Sequence, residues 1–240
     1  MDITKLTKPA RKLLPLKTCG AVIVAAGNAS RMGGIDKVMA ALKGEPMIVH
    51  TVRAFESCDA ISEIVIVTRP DLILPIQHLC HGFSKVRAVV AGGASRQESV
   101  NQGLNTLSEK VQLAAIQDGA RPLVTWQVID RVVRAANTYG AAAPAIPVKD
   151  TIKVVEGRVI KETPDRSKLF AVQTPQVFDF DLLRGALKKA EVDKAQVTDD
   201  CSAVERMGMV VKIVEGDERN IKVTTPFDLK LAELLMEEDT

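Results

Sequence analysis

Apolar residues follow two rhythms along the chain. Predominantly apolar runs cover residues 21–25, 63–68, 85–91, 113–117 and 141–148, and their Val, Ile and Ala content reads as buried strands. Between them, residues 46–55, 72–81, 95–107 and 125–137 return an apolar side chain every three or four positions, the spacing of helices. The boundaries carry matching signals. Pro46 suits a first helical turn, Ser95 with Glu98 forms a capping-box pair, and Thr125 is placed as a cap. This alternation with short connections predicts an α/β single domain, a mostly parallel sheet with helices on both faces. Ligands of such sheets bind beyond the carboxyl ends of the strands.

The rhythm changes near residue 150. Residues 151–161 read as two short strands around Glu156-Gly157, a projecting β-hairpin arm. An isolated hairpin is marginal in water, so this one needs a surface to pack on, such as a second subunit. A strand near 170–173, helices near 179–190 and 198–207, and a strand at 210–214 follow. A last helix is capped by Thr225-Pro226, with Asp228 in its first turn. No repeat or low-complexity segment interrupts the chain.

Composition narrows the class. Aromatics are only 3% of 240 residues against 46% hydrophobic, so the core rests on aliphatic side chains. A net charge of +2 excludes nucleic-acid binding by bulk electrostatics, and any useful positive charge must be local. Cys19, Cys58, Cys80 and Cys201 are scattered without a CxxC pair, which fits a reduced cytoplasmic setting. No apolar run approaches the roughly 18 residues of a membrane span. Residues 1–18 form a basic tail whose Leu13-Leu14-Pro15-Leu16 is too short for a signal-peptide core. The tail reads as disordered or loosely docked, without a catalytic role.

The strongest chemical signal is the loop Ala25-Ala26-Gly27-Asn28-Ala29-Ser30-Arg31-Met32-Gly33-Gly34-Ile35-Asp36-Lys37, directly after the first strand. Small residues let the backbone approach a triphosphate and turn N–H groups towards its oxygens. Arg31 and Lys37 add positive charge where a phosphorus centre gains negative charge. The loop is neither a Walker A sequence nor the dinucleotide fingerprint, which Ala29 breaks. On composition alone it also fits an ordinary strand-to-loop turn with two solvated cations.

This loop resembles the A-A-G-x-G-x-R-M-G…P-K signature of the Rossmann-like nucleotidyltransferases. Further stretches are similar to the 2-C-methyl-D-erythritol 4-phosphate cytidylyltransferases of isoprenoid biosynthesis (the MEP pathway). They are Gly92 to Val100, Asp118-Gly-Ala-Arg-Pro122, Val148 to Thr151, Gln173-Thr-Pro-Gln176, Thr198 to Ser202, and Glu215-Gly216 through Thr224. The resemblance spans about residues 20–237. It departs from the pattern at Ala29, at Asp36 in place of proline, and at Val38 in place of glutamine; Asp36 sets a negative charge beside Lys37. It implies a nucleotidyltransferase domain over 19–237 with a dimerisation arm at about 149–172.

The resemblance also assigns roles. Arg31, Lys37 and Lys222 would stabilise the α-phosphate in the transition state. Ala25, Ala26, Gly27, Gly92, Arg96, Ser99 and Asp118 would bind the nucleotide. Asp118, Arg121, Thr151, Arg166 and Thr174 would bind the acceptor, with Arg166 supplied by the partner of a homodimer. CTP and a polyol phosphate are the implied substrates, Mg²⁺ or another divalent cation the cofactor, and neither nucleic acid nor membrane a partner. Ribitol-5-phosphate cytidylyltransferase shares most of these motifs and remains an alternative acceptor reading. A catalytically weakened nucleotide-binding regulator is the alternative of another class. A nicotinamide-dependent oxidoreductase is disfavoured by the broken glycine fingerprint.

Other features read as structural. His78, Cys80 and His81 diverge on a helix and make a poor metal site. His50 falls on an apolar helix face. Asp199 and Asp200 suit a helix's first turn. Trp126 reads as a packing residue, and Lys188-Lys189 as a solvated face.

Overall fold

A computed structural model describes residues 15–27 and 36–237. In chain order the elements are β1 (Cys19–Val24), β2 (Ala41–Leu42), β3 (Glu45–Pro46), α1 (Met47–Glu56), β4 (Ile61–Thr68), α2 (Ile73–Leu79), β5 (Val86–Ala91), α3 (Arg96–Thr106), β6 (Leu113–Asp118) and α4 (Trp126–Tyr139). They continue with β7 (Ala141–Pro147), β8 (Val154–Glu156), β9 (Val159–Glu162), β10 (Phe170–Val172), β11 (Gln176–Asp179), α5 (Phe180–Val192), α6 (Asp200–Glu205), β12 (Lys212–Glu215) and α7 (Pro226–Glu237).

The central sheet runs β10-β7-β11-β6-β1-β4-β5, with β12 on the outer side of β7. β5, β4, β1 and β6 are parallel, as the apolar runs predict. β11 reverses direction and wedges between β6 and β7, antiparallel to both. This strand escapes the sequence pattern because it is four residues long, with only Val177 and Phe178 to mark it. The β2–β3 pair, two residues each, is missed for the same reason.

Side chains alternate across the sheet and feed two cores. Ala21, Ile23, Ile64, Ile66 and Ala115 face α1, α2 and α4. Val22, Val65, Val67, Ala114 and Ile116 face α3, α5 and α6. A smaller cluster of Leu42, Met47, Ala120, Val223 and Ala232 seats α7 beside the strand ends.

Caps follow the sequence with one shift. Ser95 Oγ accepts from Glu98 N at 3.1 Å, but the Glu98 carboxylate reaches back to Ala94 N at 2.8 Å rather than to Ser95. Thr125 caps α4, and Gly140 closes it with φ of +82°. Trp126, expected to pack, is instead 51% exposed at the first position of α4, while Val128, Ile129, Val132 and Val133 carry the helix's buried face. His50 does sit nearly buried, its Nε2 2.8 Å from the Leu42 carbonyl. All four cysteines are free and buried. Residues 15–17 are tied to α4 and β11: Lys17 N donates to Asn137 Oδ1 at 3.0 Å, and Lys17 Nζ reaches Asp179 at 2.9 Å.

The arm is the expected hairpin. β8 and β9 pair antiparallel, and the turn places Gly157 and Arg158 at positive φ, 53° and 70°. Such a turn matches the right-handed twist of the strands it joins. Val155, Val159 and Ile160 are more than half exposed.

Candidate active site

A cavity of about 480 Å³ opens beyond the carboxyl ends of β1, β4, β5 and β6. The sheet order places it where adjacent β1 and β6 send their connections to opposite sides, β1 to β4 and β6 to β7, the position α/β sheets use for ligands. The parallel ladder continues one residue past each strand: Ala25 N donates to Val67 O, Gly92 N to Thr68 O and Gly119 N to Val24 O, at 2.7–2.9 Å. The loops leave the sheet from fixed points.

Gly92 is required by close approach. A Cβ there would lie 2.6 Å from Ala26 Cβ and 2.7 Å from Ser99 Oγ. Ser99, buried on α3, holds this loop: its Oγ accepts from Gly93 N at 3.2 Å and donates to Ser95 O at 2.9 Å.

The charges converge from distant parts of the chain. Lys37, Arg69, Arg96 and Lys222 line the cavity with Asp118. Lys222 Nζ lies 2.8 Å from Asp118 Oδ2. It is carried there because Val223 N donates to Ala120 O, which splices the 220s segment onto the turn after β6. Asp118 N donates to Thr174 Oγ1 at 3.1 Å, and Asn220 Nδ2 donates to Thr174 O at 2.9 Å, so Thr174 joins both segments from below. Burial pushes the Asp118 carboxyl up, but Lys222, Arg96 and Arg121 outweigh it and leave the group below its ordinary value.

The wall therefore brings together Ala25, Ala26, Gly27, Lys37, Gly92, Arg96, Ser99, Asp118 and Lys222. Arg31 and Ala29 lie outside the described residues. Arg121 and Thr174 lie behind the wall. Arg121 is buried, donates to Asn220 O at 2.6 Å and keeps its Nε 3.7 Å from Asp118; burial holds its guanidinium below its usual value, with Asp118 opposing. Thr151 and Arg166 sit exposed on the arm, where Arg166 donates to Lys149 O at 2.8 Å.

Two residues at the site carry more than the sequence reading gave them. Asp200, read as a first-turn acid, is 1% exposed and ion-paired to Arg96 at 2.7 Å. Burial drives its carboxyl up, with Arg96 opposing. Its motif, Thr198 to Ser202, was the available signal. Arg69 lines the cavity directly after β4; its place at a strand's carboxyl end was its only mark.

Asp118 is the single carboxylate on the cavity wall among the described residues, and no group of three or more metal-ligating side chains occurs among them. That donor set suits a Mg²⁺ ion held chiefly by phosphate oxygens and water, with at most one carboxylate from the protein.

A family model described as 2-C-methyl-D-erythritol 4-phosphate cytidylyltransferase (IspD) matches residues 19–238. Proteins of that name are similar along nearly their whole length. The one from Caldanaerobacter subterraneus is 45% identical over 221 residues, covering 90% of this chain and 97% of the relative. The one from Bacillus velezensis is 46% identical over 223 residues, covering 91% and 96%. Among solved structures, 4-diphosphocytidyl-2C-methyl-D-erythritol synthase from Anaerococcus prevotii superposes with a TM-score of 0.84 at 28% identity, covering 92% and 96%. The 2-C-methyl-D-erythritol 4-phosphate cytidylyltransferase from Thermus thermophilus gives 0.78 at 32% identity, covering 92% and 99%.

Proposed function

The chain belongs to the 2-C-methyl-D-erythritol 4-phosphate cytidylyltransferase family, and on that premise we propose that CMP passes from CTP to 2-C-methyl-D-erythritol 4-phosphate in the cavity above β1, β4 and β6. The observation that carries this is the meeting of Lys37, Lys222 and Asp118 on one wall, from three separated segments. The relatives' name favours this acceptor over ribitol 5-phosphate.

In the reaction, an oxygen of the acceptor phosphate attacks the α-phosphorus in line, a P–O bond forms, and the bond to the β-phosphate oxygen breaks with pyrophosphate leaving. No covalent enzyme intermediate is needed; positioning and charge neutralisation supply the rate. Lys37 and Lys222, with Arg31, stabilise the added charge at phosphorus. Ala25, Ala26, Gly27 and Gly92 give the triphosphate and the nucleoside close access to backbone, and Arg96 and Ser99 shape the nucleoside end. Mg²⁺, which Asp118 would help to hold, neutralises triphosphate oxygens when bound. Arg121 and Thr174 keep Asp118 and the 220s segment in register beneath the acceptor.

The active unit is a homodimer in which the arm at 149–172 extends over the partner's cavity, bringing Thr151 and Arg166 to the acceptor phosphate. The exposed Val155, Val159 and Ile160 support this, since such a surface favours burial. The enzyme is cytoplasmic, consistent with free buried thiols and with the absence of any described helix long and apolar enough to cross a membrane. The test is pyrophosphate release from CTP and Mg²⁺ with each polyol phosphate in turn. Turnover with 2-C-methyl-D-erythritol 4-phosphate is expected. Turnover with ribitol 5-phosphate alone, or CTP binding without turnover on either acceptor, would overturn the reading.

A further inference from the structure

Asp36 immediately precedes Lys37, which lines the cavity, and a carboxylate so close would oppose a bound triphosphate. Its surroundings resolve the conflict. Asp36 caps a one-turn 3₁₀ helix, Lys37–Met39: its Oδ1 accepts from Val38 N at 3.1 Å. Its other oxygen lies 2.5 Å from Arg69 Nη1. Arg69 is itself oriented. Its Nε and Nη2 donate to the two oxygens of Asp71 at 3.1 and 3.0 Å, which leaves Nη1 turned to Asp36. Arg69 directly follows Thr68, the buried end of β4, so this contact ties the turn to the rigid sheet. Both partners are largely shielded, with side chains 17% and 26% exposed.

We infer that the Asp36–Arg69 ion pair is a latch that fixes the Lys37 turn to the end of β4 and so presents the Lys37 ammonium to the triphosphate. Asp36 and Arg69 are positioning residues acting through Lys37. The inference rests on the role proposed for Lys37. It assigns to this chain a device that matches the charge of Asp36 locally, instead of leaving it to repel the nucleotide.

The test is a set of double-mutant cycles read in steady-state kinetics. Asp36→Asn keeps the cap acceptor and removes the charge, and Arg69→Gln removes the other partner. Each is expected to lower kcat/KM for CTP by roughly 5-fold, the scale of a partly shielded ion pair. KM for the acceptor and the melting temperature should stay near wild type. The Asp36→Asn/Arg69→Gln double variant should be no worse than either single. The reversed pair, Asp36→Arg with Arg69→Asp, should recover part of the loss. In a Lys37→Ala background neither substitution should have a further effect. Single variants with normal kcat/KM would overturn the latch. So would an Arg69→Gln loss that persists in the Lys37→Ala background, which would make Arg69 a direct phosphate ligand. Near-normal turnover of Lys37→Ala by itself would instead refute the role of Lys37.

Discussion

The guanidinium of Arg96 rests 2.7 Å from the carboxylate of Asp200, 104 positions further along the chain. It joins the start of α3, which lines the cavity, to the start of α6. Asp200 is held in turn by Gln176, whose Oε1 accepts from Asp200 N and Cys201 N, both at 3.1 Å. A nearly sealed carboxylate opposite a part-exposed arginine aims that arginine as much as it stabilises it. Asp200→Asn should weaken CTP binding by about 10-fold and lower unfolding free energy by about 1–3 kcal/mol, the range for a charged hydrogen bond. Nucleotide titration and denaturant unfolding measure the two separately. Unchanged CTP affinity with lost stability would leave Asp200 a structural residue only.

Lys222 is the first of the cations that hold the Asp118 carboxyl down. In Lys222→Met, burial should prevail and the Asp118 carboxyl should titrate at higher pH than in the wild type, visible by carboxyl-selective NMR. Turnover should fall by roughly 10²-fold, as for loss of one oxyanion contact. Lys37→Ala should fall on a similar scale.

α7 begins with a reciprocal cap. Asp228 Oδ2 accepts from Thr224 N, Thr224 Oγ1 and Thr225 N, each at 2.8 Å, and Asp228 N donates to Thr225 Oγ1 at 3.2 Å. Burial raises the Asp228 carboxyl, but these donors outweigh it and leave it lowered. A lowered carboxylate contributes stability that is present above the unfolded value, about 3.9, and lost as pH falls through the folded value. Asp228→Ala should therefore cost about 1 kcal/mol at neutral pH. Its deficit relative to wild type should shrink as pH falls below the unfolded value, about 3.9, and through the lower folded value. Thermal unfolding across pH checks this, and a deficit that persists in acid would contradict it.

α3 lies against β1 at Gly103, where an added Cβ would meet Val22 Cγ1 at 2.3 Å and Val67 Cγ2 at 2.9 Å. Gly103→Ala should push α3 outward, destabilise by about 1–3 kcal/mol, and raise KM for CTP, because Arg96 and Ser99 ride on the same helix. Calorimetry and kinetics on the variant test both effects.

Ile160→Glu places a charge on the arm's exposed apolar surface. For the homodimer proposed above, sedimentation of this variant should show a monomer, with acceptor KM raised and CTP affinity retained. A variant that stays dimeric would place the subunit contact elsewhere.

The parallel half of the fold was legible because fully buried strands announce themselves as unbroken aliphatic runs, as in β4 and β6. β11 was not: four residues alternate too briefly to separate a strand from a link, and its reversal depends on partners far away in sequence. At the site, Lys37, Asp118 and Lys222 could be named from motifs, but the ion pairs of Asp36 with Arg69 and of Asp200 with Arg96 could not. Such pairs join segments whose distance in the chain hides their contact. Asp200 also shows how a residue that satisfies a local rule, a first-turn acid, can be placed by a distant one.

The splice of Val223 onto Ala120 sets an order of assembly. A ribosome finishes every strand of the sheet before it adds Lys222 and α7, so a prematurely terminated chain would retain the framework and lack the last cation. Such a partial product would carry the rest of the cavity lining without the contribution proposed for Lys222, so full turnover would wait until translation is nearly complete.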